Sequence, residues 1–279
     1  MSKFTKNYLY QKTVIITGAS GGLGFGIAKK LIESYDCKII GIARNEKKLI
    51  SAIETLGDKK DNFTYRIFDV SVKENWQNFA SDLASSGIAV DVLINNAGFM
   101  LPFAKYEKYS YEEIDEIINT NLKSCLYSVK ELLPILNKSK TPSIVNIASA
   151  AGLCSVVGES MYSATKFAVH GFTQTLRQEY KGKMYIGGVY PGFIKTNILH
   201  RMDINDKNNR LISKIMKPLD KAVNIIVKGI AKKKGRIVLG FDGRSMDFFG
   251  RRMPNATPSI ITAVLKKSGL EMFKDVFED

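Results

Sequence analysis

The sequence predicts an α/β fold, a doubly wound parallel sheet of about seven strands held in three α/β/α layers. Three observations carry this. Short apolar, β-branched runs alternate with amphipathic helical patterns, the rhythm of successive βαβ units. A glycine-rich turn joins the first strand to the first helix, and the chain, with 279 residues of which 45% are hydrophobic and 24% charged, is long enough to bury most of its apolar surface.

Taken in order, residues 13–16 read as a strand and 22–35 as a helix with Leu23, Ile27, Leu31 and Ile32 on one face. Strand 38–42, helix 46–56, strand 63–68, helix 73–84 and strand 90–94 follow. A long helix is expected over 111–136, its start near Ser110 supported by Glu112 and Glu113 in the first turn. Strand 143–147, helix 162–180 and strand 185–189 come next, closed by Pro191-Gly192. A mobile, basic helical segment is expected over 198–217, then helix 219–234 and strand 236–240. Lys232, Lys233 and Lys234 before Gly235 match cations at a helix C-terminus followed by a C′ glycine. No repeat or low-complexity linker interrupts the chain, so residues 1–240 read as one domain and 241–279 as a tail with an amphipathic run at 259–270.

Composition excludes several function classes. Lys and Arg exceed Asp and Glu by 14, but residues 201–252 alone hold fourteen basic and five acidic side chains, so the excess is local. With no basic stripe interleaved with aromatics, nucleic acid is not an expected partner. Cys37, Cys125 and Cys154 are far apart and the histidines are only His170 and His200, which gives no metal-ligand spacing. Unpaired cysteines and the absence of a long apolar run favour a reducing, cytoplasmic setting with no bilayer span.

The chemistry begins at Thr17-Gly18-Ala19-Ser20-Gly21-Gly22-Leu23-Gly24, directly between the first strand and helix. There a doubly wound sheet offers backbone N–H groups and a helix dipole to a pyrophosphate, and glycines let the anion approach the main chain. The spacing departs from G-x-G-x-x-G, since Ile27 stands three residues past Gly24, and no P-loop lysine follows. At the end of the second strand, Gly41-Ile42-Ala43-Arg44 supplies a guanidinium and no acid, which favours a 2′-phosphate over a free ribose hydroxyl and hence NADP(H) over NAD(H). Tyr162 and Lys166 stand at i and i+4, one helical face, a spacing that Tyr8 and Lys12 share on what reads as surface. Their company discriminates: Ser149 follows the fifth strand, and Asn95-Asn96-Ala97-Gly98 the fourth, at the sheet edge where ligands bind.

Over about residues 10–240 the sequence resembles the short-chain dehydrogenase/reductase family, of the NADP-preferring, Rossmann-type kind, on motifs that occur in order. These are Thr17 to Gly24, Asn95 to Gly98, Asn121 within Asn119-Thr120-Asn121-Leu122, Ser149 with Tyr162 and Lys166, and Pro191-Gly192 with Thr196. The resemblance implies a carbonyl–alcohol oxidoreductase in which Tyr162 exchanges the proton, Ser149 stabilises the alkoxide, Lys166 eases proton exchange and Asn121 holds a water linking Lys166 to solvent. It also implies that Gly18, Ser20, Gly22, Leu23 and Gly24 hold the pyrophosphate, that Asp69 and Val70 flank the adenine, and that Asn95, Ala97 and Gly98 line the adenosine side. Ile194 and Thr196 would meet the carboxamide beside Pro191 and Gly192, and the assembly would be a homo-oligomer, dimer or tetramer. A nearby ammonium and a cationic nicotinamide would favour the phenolate of Tyr162. Gly21 departs from NADP-preferring members, which often carry a more polar or basic residue there, and the tail exceeds the shortest members.

Met100, Leu101, Phe103, Leu153, Val156, Val157, Phe193, Ile198, Leu199 and Met202 supply an apolar substrate wall, with Lys195, Arg201 and Lys207 near the entrance. A lipophilic carbonyl or secondary alcohol fits best, and these cations leave room for an anionic end on it. The tail is expected to dock on the domain, on a second subunit or on an anionic membrane surface, in that order. An NAD-linked alcohol dehydrogenase and a non-catalytic dinucleotide sensor are the rival readings, and a proton donor has no use in the second.

Overall fold

The computed structural model describes residues 8–195 and 216–278. Seven parallel strands form one sheet in the order β3-β2-β1-β4-β5-β6-β7. In chain order the elements are β1 (Thr13–Thr17), α1 (Gly22–Tyr35), β2 (Lys38–Ala43), α2 (Glu46–Glu54), β3 (Phe63–Ile67), α3 (Lys73–Ser86) and β4 (Val92–Asn95). They continue with α4 (Tyr111–Ile118), α5 (Ser124–Leu136), β5 (Ser143–Ile147), α6 (Ser160–Glu179), β6 (Tyr185–Pro191), α7 (Leu219–Ala231), β7 (Arg236–Leu239), α8 (Phe241–Arg252) and α9 (Ala256–Ser268).

Both faces of the sheet are covered, which is why β1, β4 and β5 are buried along nearly their whole length. Alternation along β1 sends Val14 and Ile16 to one core with Ile27 and Leu31 of α1 and Ile226 of α7. Ile15 points to the opposite core with Trp76 of α3, Leu132 of α5 and Leu176 of α6. Each such fully buried aliphatic side chain contributes about 1.5–3 kcal/mol. Strand order reverses between β1 and β4, and the crossovers leave a crevice at the carboxyl ends of those strands.

Beneath that crevice a buried polar network ties β4 and β5 to the helices behind them. Asn95 Nδ2 donates to Asn146 Oδ1 at 2.9 Å, Ser128 Oγ donates to Asn95 Oδ1 at 2.7 Å, and Asn146 Nδ2 donates to Thr173 Oγ1 at 2.9 Å. Because these groups satisfy one another, the network fixes strand and helix positions without the penalty of orphaned buried polar atoms.

Several local expectations change. The long helix over 111–136 is interrupted at Asn119–Lys123 by a π turn, although the Ser110 capping box starts it as the sequence indicates. The helix expected over 219–234 ends at Ala231, and the left-handed C′ position is taken by Lys233 (φ 50°) rather than Gly235. Gly235 instead makes room for the Arg177 guanidinium, 3.1 Å from where a Cβ would stand. Tyr8 and Lys12 are not free surface: the Tyr8 hydroxyl donates to Ile230 O at 2.9 Å, and Lys12 pairs with Asp91 at 3.2 Å. The tail contains α8, which the sequence reading did not anticipate, and its amphipathic run begins at Ala256. Most of the expected basic segment, including Ile198, Leu199, Arg201, Met202 and Lys207, lies outside the described residues.

Candidate active site

A cleft of about 590 Å³ runs along the carboxyl ends of β1, β4, β5 and β6. One end is the glycine loop. Gly18 adopts φ +66°, and a side chain on Gly24 would strike the Gly18 carbonyl and the Asn96 amide, so the turn closes only with glycine at both positions. Asn96 locks the turn from β4: its Nδ2 donates to Thr17 O at 2.9 Å, while the N–H groups of Asn96 and Ala97 both donate to Thr17 Oγ1 at 2.9 Å. Gly21 caps α1 without a side-chain hydrogen bond, which leaves the first N–H groups of the helix open to an anion.

Two cations stand beside that opening. Arg44 follows β2 and pairs with Asp69 at 3.6 Å on a surface where both are substantially exposed. Lys48, on the first turn of α2, places its Cε 3.4 Å from the point a Gly21 side chain would occupy. Its charge therefore enters the space that Gly21 leaves empty, a residue sequence reasoning missed although it stands one helical turn past Arg44. Burial works against ionised Asp69, but two hydrogen bonds from Ser71 and the Arg44 guanidinium hold its carboxyl below the usual range.

The other end is built by β5, the turn after it and α6. Ser149 caps the short helical turn Ala150–Gly152, its Oγ accepting from Ala151 N at 3.1 Å, and its hydroxyl supports the ionised form of the Tyr162 phenol beside it. Lys166 Nζ donates to Ile147 O at 3.2 Å and lies 5.6 Å from the centre of the Tyr162 ring. Burial pushes the Lys166 ammonium down to about 8. Burial also pushes the Tyr162 phenol well above its ordinary value, reinforced by the Glu159 charge and opposed only by Ser149. The chain by itself thus favours the protonated phenol; the expected phenolate rests on the ammonium together with a cationic nicotinamide, and the ammonium alone does not offset burial. The reason is that burial opposes the phenolate more strongly than any neighbour in the cleft supports it.

Of the residues expected at the cofactor or in catalysis, most line this cleft: Gly18, Ser20, Gly22, Leu23 and Arg44 at one end, Ala97 and Gly98 midway, and Ser149, Tyr162, Lys166, Pro191, Gly192 and Ile194 at the other. Thr196 lies outside the described residues. Gly24 is packed beneath the loop. Asn95 turns into the buried network and does not face the cleft, because its amide is bonded to Asn146 and Ser128. Asp69 and Val70 lie beyond the lining, where the Val70 carbonyl accepts from Trp76 Nε1 at 2.8 Å. Asn121 is clamped on the Phe99 backbone, accepting from its N–H and donating to its carbonyl, both at 2.9 Å. The π turn aims this amide inward, and with both ends engaged it positions the Gly98-Phe99 loop beside Lys166.

Three further lining residues escaped the sequence reading. Glu159, one helical turn before Tyr162, is buried, and burial pushes its carboxyl up to about 8. Asp242 in the first turn of α8 accepts from Phe193 N at 2.6 Å and wedges its carboxylate between Gly192 and Gly240; Met246 follows one turn later. The end of the chain contributes as well. Phe273 stacks on Phe103 with ring centres 4.4 Å apart, and Met272, Phe273 and Val276 are buried in one cluster with Met100, Leu101 and Tyr162. Among the described residues no group of three His, Cys, Asp or Glu could hold a metal, and no helix is long and apolar enough to cross a membrane.

The sequence model for short chain dehydrogenases matches residues 12–207. A Mycobacterium tuberculosis protein described as an oxidoreductase, SadH, is 29% identical over 274 residues, covering 92% of this chain and 96% of its own. A short chain dehydrogenase/reductase from Burkholderia phymatum, solved in complex with NAD, superposes with a TM-score of 0.76 at 22% identity, over 94% of this chain and 97% of its own. One from Shigella flexneri, complexed with NADP, gives 0.71 at 22% identity, over 83% and 97%. At this identity the two structures speak to the fold, and they share it while holding different coenzymes.

Proposed function

The chain is an enzyme of the short-chain dehydrogenase family, and from that premise we propose that it is an NADP(H)-dependent oxidoreductase interconverting a ketone or aldehyde and an alcohol on a lipophilic small molecule. One observation carries the reading. Ser149, Tyr162 and Lys166 meet at one end of a single cleft whose other end is an uncapped helix N-terminus flanked by Arg44 and Lys48.

The residues present fit a dinucleotide. Open N–H groups at the start of α1 suit a pyrophosphate, the missing side chain at Gly21 lets Lys48 approach them, and Arg44 with Lys48 suits a 2′-phosphate where no acid ends β2. Bound there, the coenzyme supplies hydride in reduction and accepts it in oxidation. In reduction Tyr162 gives its phenolic proton to the carbonyl oxygen, and the protonated state that burial imposes is the one this step uses. The Ser149 hydroxyl donates to the same oxygen as negative charge builds on it. Lys166, anchored by Ile147 O, holds positive charge beside the ring from which the proton departs. The apolar wall of Phe99, Met100 and Val156 excludes water and suits a lipophilic substrate.

The division into a catalytic unit, residues 1–240, and a tail, 241–279, belongs to the same proposal. The tail then acts as part of the substrate wall, since Asp242 and Met246 line the cleft and Phe273 backs it. A homo-oligomer is the assembly this reading expects. The test follows NADPH absorbance with the purified full chain and a panel of aliphatic and aromatic ketones and aldehydes. Coenzyme consumption with lipophilic members is the expected result; absence of consumption across the panel, with NADPH bound, overturns it.

A further inference from the structure

Glu159 is an acidic side chain at the tyrosine end that the proposed reaction leaves unused. It is 5% exposed and lines the cleft. It occupies the N-cap position of α6, where Ser, Asp or Asn would cap, yet its side chain makes no cap hydrogen bond. Only its backbone is engaged, its N–H donating to Val156 O at 3.3 Å and its carbonyl accepting from Ser163 N at 2.7 Å. Among the described residues its carboxyl has no hydrogen-bond or ion-pair partner. Its position one turn before Tyr162 puts both side chains on the same helical face, and its charge is felt by Tyr162 and by Tyr109.

Buried polar groups are almost always paired, and an unpaired carboxylate is among the costliest to leave alone. Among the described residues no cation serves it: Lys166 is anchored on Ile147 O, while Arg44 and Lys48 sit at the opposite end. Its neighbours on the lining, Phe99, Met100 and Val156, offer no charge. Because the carboxyl faces the open cleft, the molecule that the cleft binds can supply its partner. A hydroxyl would only exchange a hydrogen bond with the carboxyl, whereas an ammonium group donates to it and also stabilises its ionised form.

We propose that Glu159 is a specificity-determining residue that binds the ammonium group of an amino-substituted carbonyl or alcohol, so that the substrate is a lipophilic amino ketone or amino alcohol whose amine lies near the reacting carbon. The amine is a handle and takes no part in the hydride and proton transfers. The inference rests on the oxidoreductase reading and extends it.

The test uses the full chain with NADP+ and a matched pair, 2-octanol and its 1-amino derivative, in the wild type, Glu159→Gln and Glu159→Asp. A wild-type preference for the amine of at least about tenfold in kcat/KM is expected, residing in KM, abolished by Gln and partly restored by Asp. No preference in the wild type, or a preference that Glu159→Gln leaves intact, overturns the proposal. Titration calorimetry of octylammonium chloride into the coenzyme-loaded protein reads the same contact without turnover. Octylammonium binding lost in Glu159→Gln, with neither alcohol oxidised, sinks the dehydrogenase reading and keeps the Glu159 site. Turnover of both alcohols without amine preference, and no octylammonium binding, does the reverse.

Discussion

At the glycine-loop end of the cleft the facing groups are mostly main-chain N–H groups contributed by consecutive residues, while at the tyrosine end they are side chains drawn from β5, α6, the loop after β4 and the last turns of the chain. The first kind of site is made by a local turn between a strand and a helix, and its only special requirement is glycine where a Cβ would collide. The second exists only once elements distant in sequence have packed together. One region is fixed by backbone geometry and tolerates change around it, whereas the other depends on burial, so burial sets its chemistry: it pushes Lys166 down and Tyr162 and Glu159 up.

If the two ends are separable, Tyr162→Phe should lower turnover by roughly 10²–10⁴-fold while NADPH affinity, read by fluorescence titration, stays near the wild-type value. Joint loss of both would break the distinction. Phe273→Ala removes a ring that is 2% exposed and stacked on Phe103; a cost of about 3 kcal/mol in urea unfolding is expected, with KM for lipophilic substrates raised. Unchanged stability and KM would detach the end of the chain from the tyrosine region. Arg44→Asp should shift the NADPH-to-NADH preference toward NADH by about tenfold or more, measured as a ratio of kcat/KM values, without changing which carbonyl compounds are accepted. An unaltered ratio would move the coenzyme discrimination to Lys48.

A further expectation concerns pH. The folded-state Glu159 carboxyl titrates near 8 against an ordinary 4.5, so between those values the unfolded chain has released a proton that the folded chain keeps. Its contribution to stability is fully present below the ordinary value and is lost as pH rises toward 8. Glu159→Gln should remove that slope, so its Tm relative to wild type climbs from pH 5 to pH 8. A constant Tm difference across the window would mean that the carboxyl is not buried as described.

Legibility in the sequence follows the same division. The strands, the alternation with helices, the glycine loop and the Ser149, Tyr162, Lys166 set could all be read because each depends on short-range pattern or on motif order along a sheet edge. Asn95 misled for a physical reason: its position at the end of β4 is right, but strand alternation turns its side chain into the Asn146 network, and Asn96 faces the cleft instead. The π turn at Asn121 went unread because apolar spacing marks a helix without separating i→i+5 from i→i+4 bonding over a single turn. Asp242 and Phe273 reach the site only through tertiary docking, which no local pattern encodes. Glu159 had a signal available in its spacing to Tyr162, and it passed unnoticed because an acid near a helix start usually needs no further explanation.

The central claim is that hydride and proton reach one carbon–oxygen double bond in this cleft, and isotopic transfer tests it most directly. With NADPH deuterated at the transferring position of nicotinamide C4 and a lipophilic ketone that the enzyme accepts, mass spectrometry should find one deuteron on the carbinol carbon of each alcohol formed, in the wild type and in the residual activity of Tyr162→Phe alike. Alcohol without the label, or coenzyme oxidised without labelled alcohol, would contradict it.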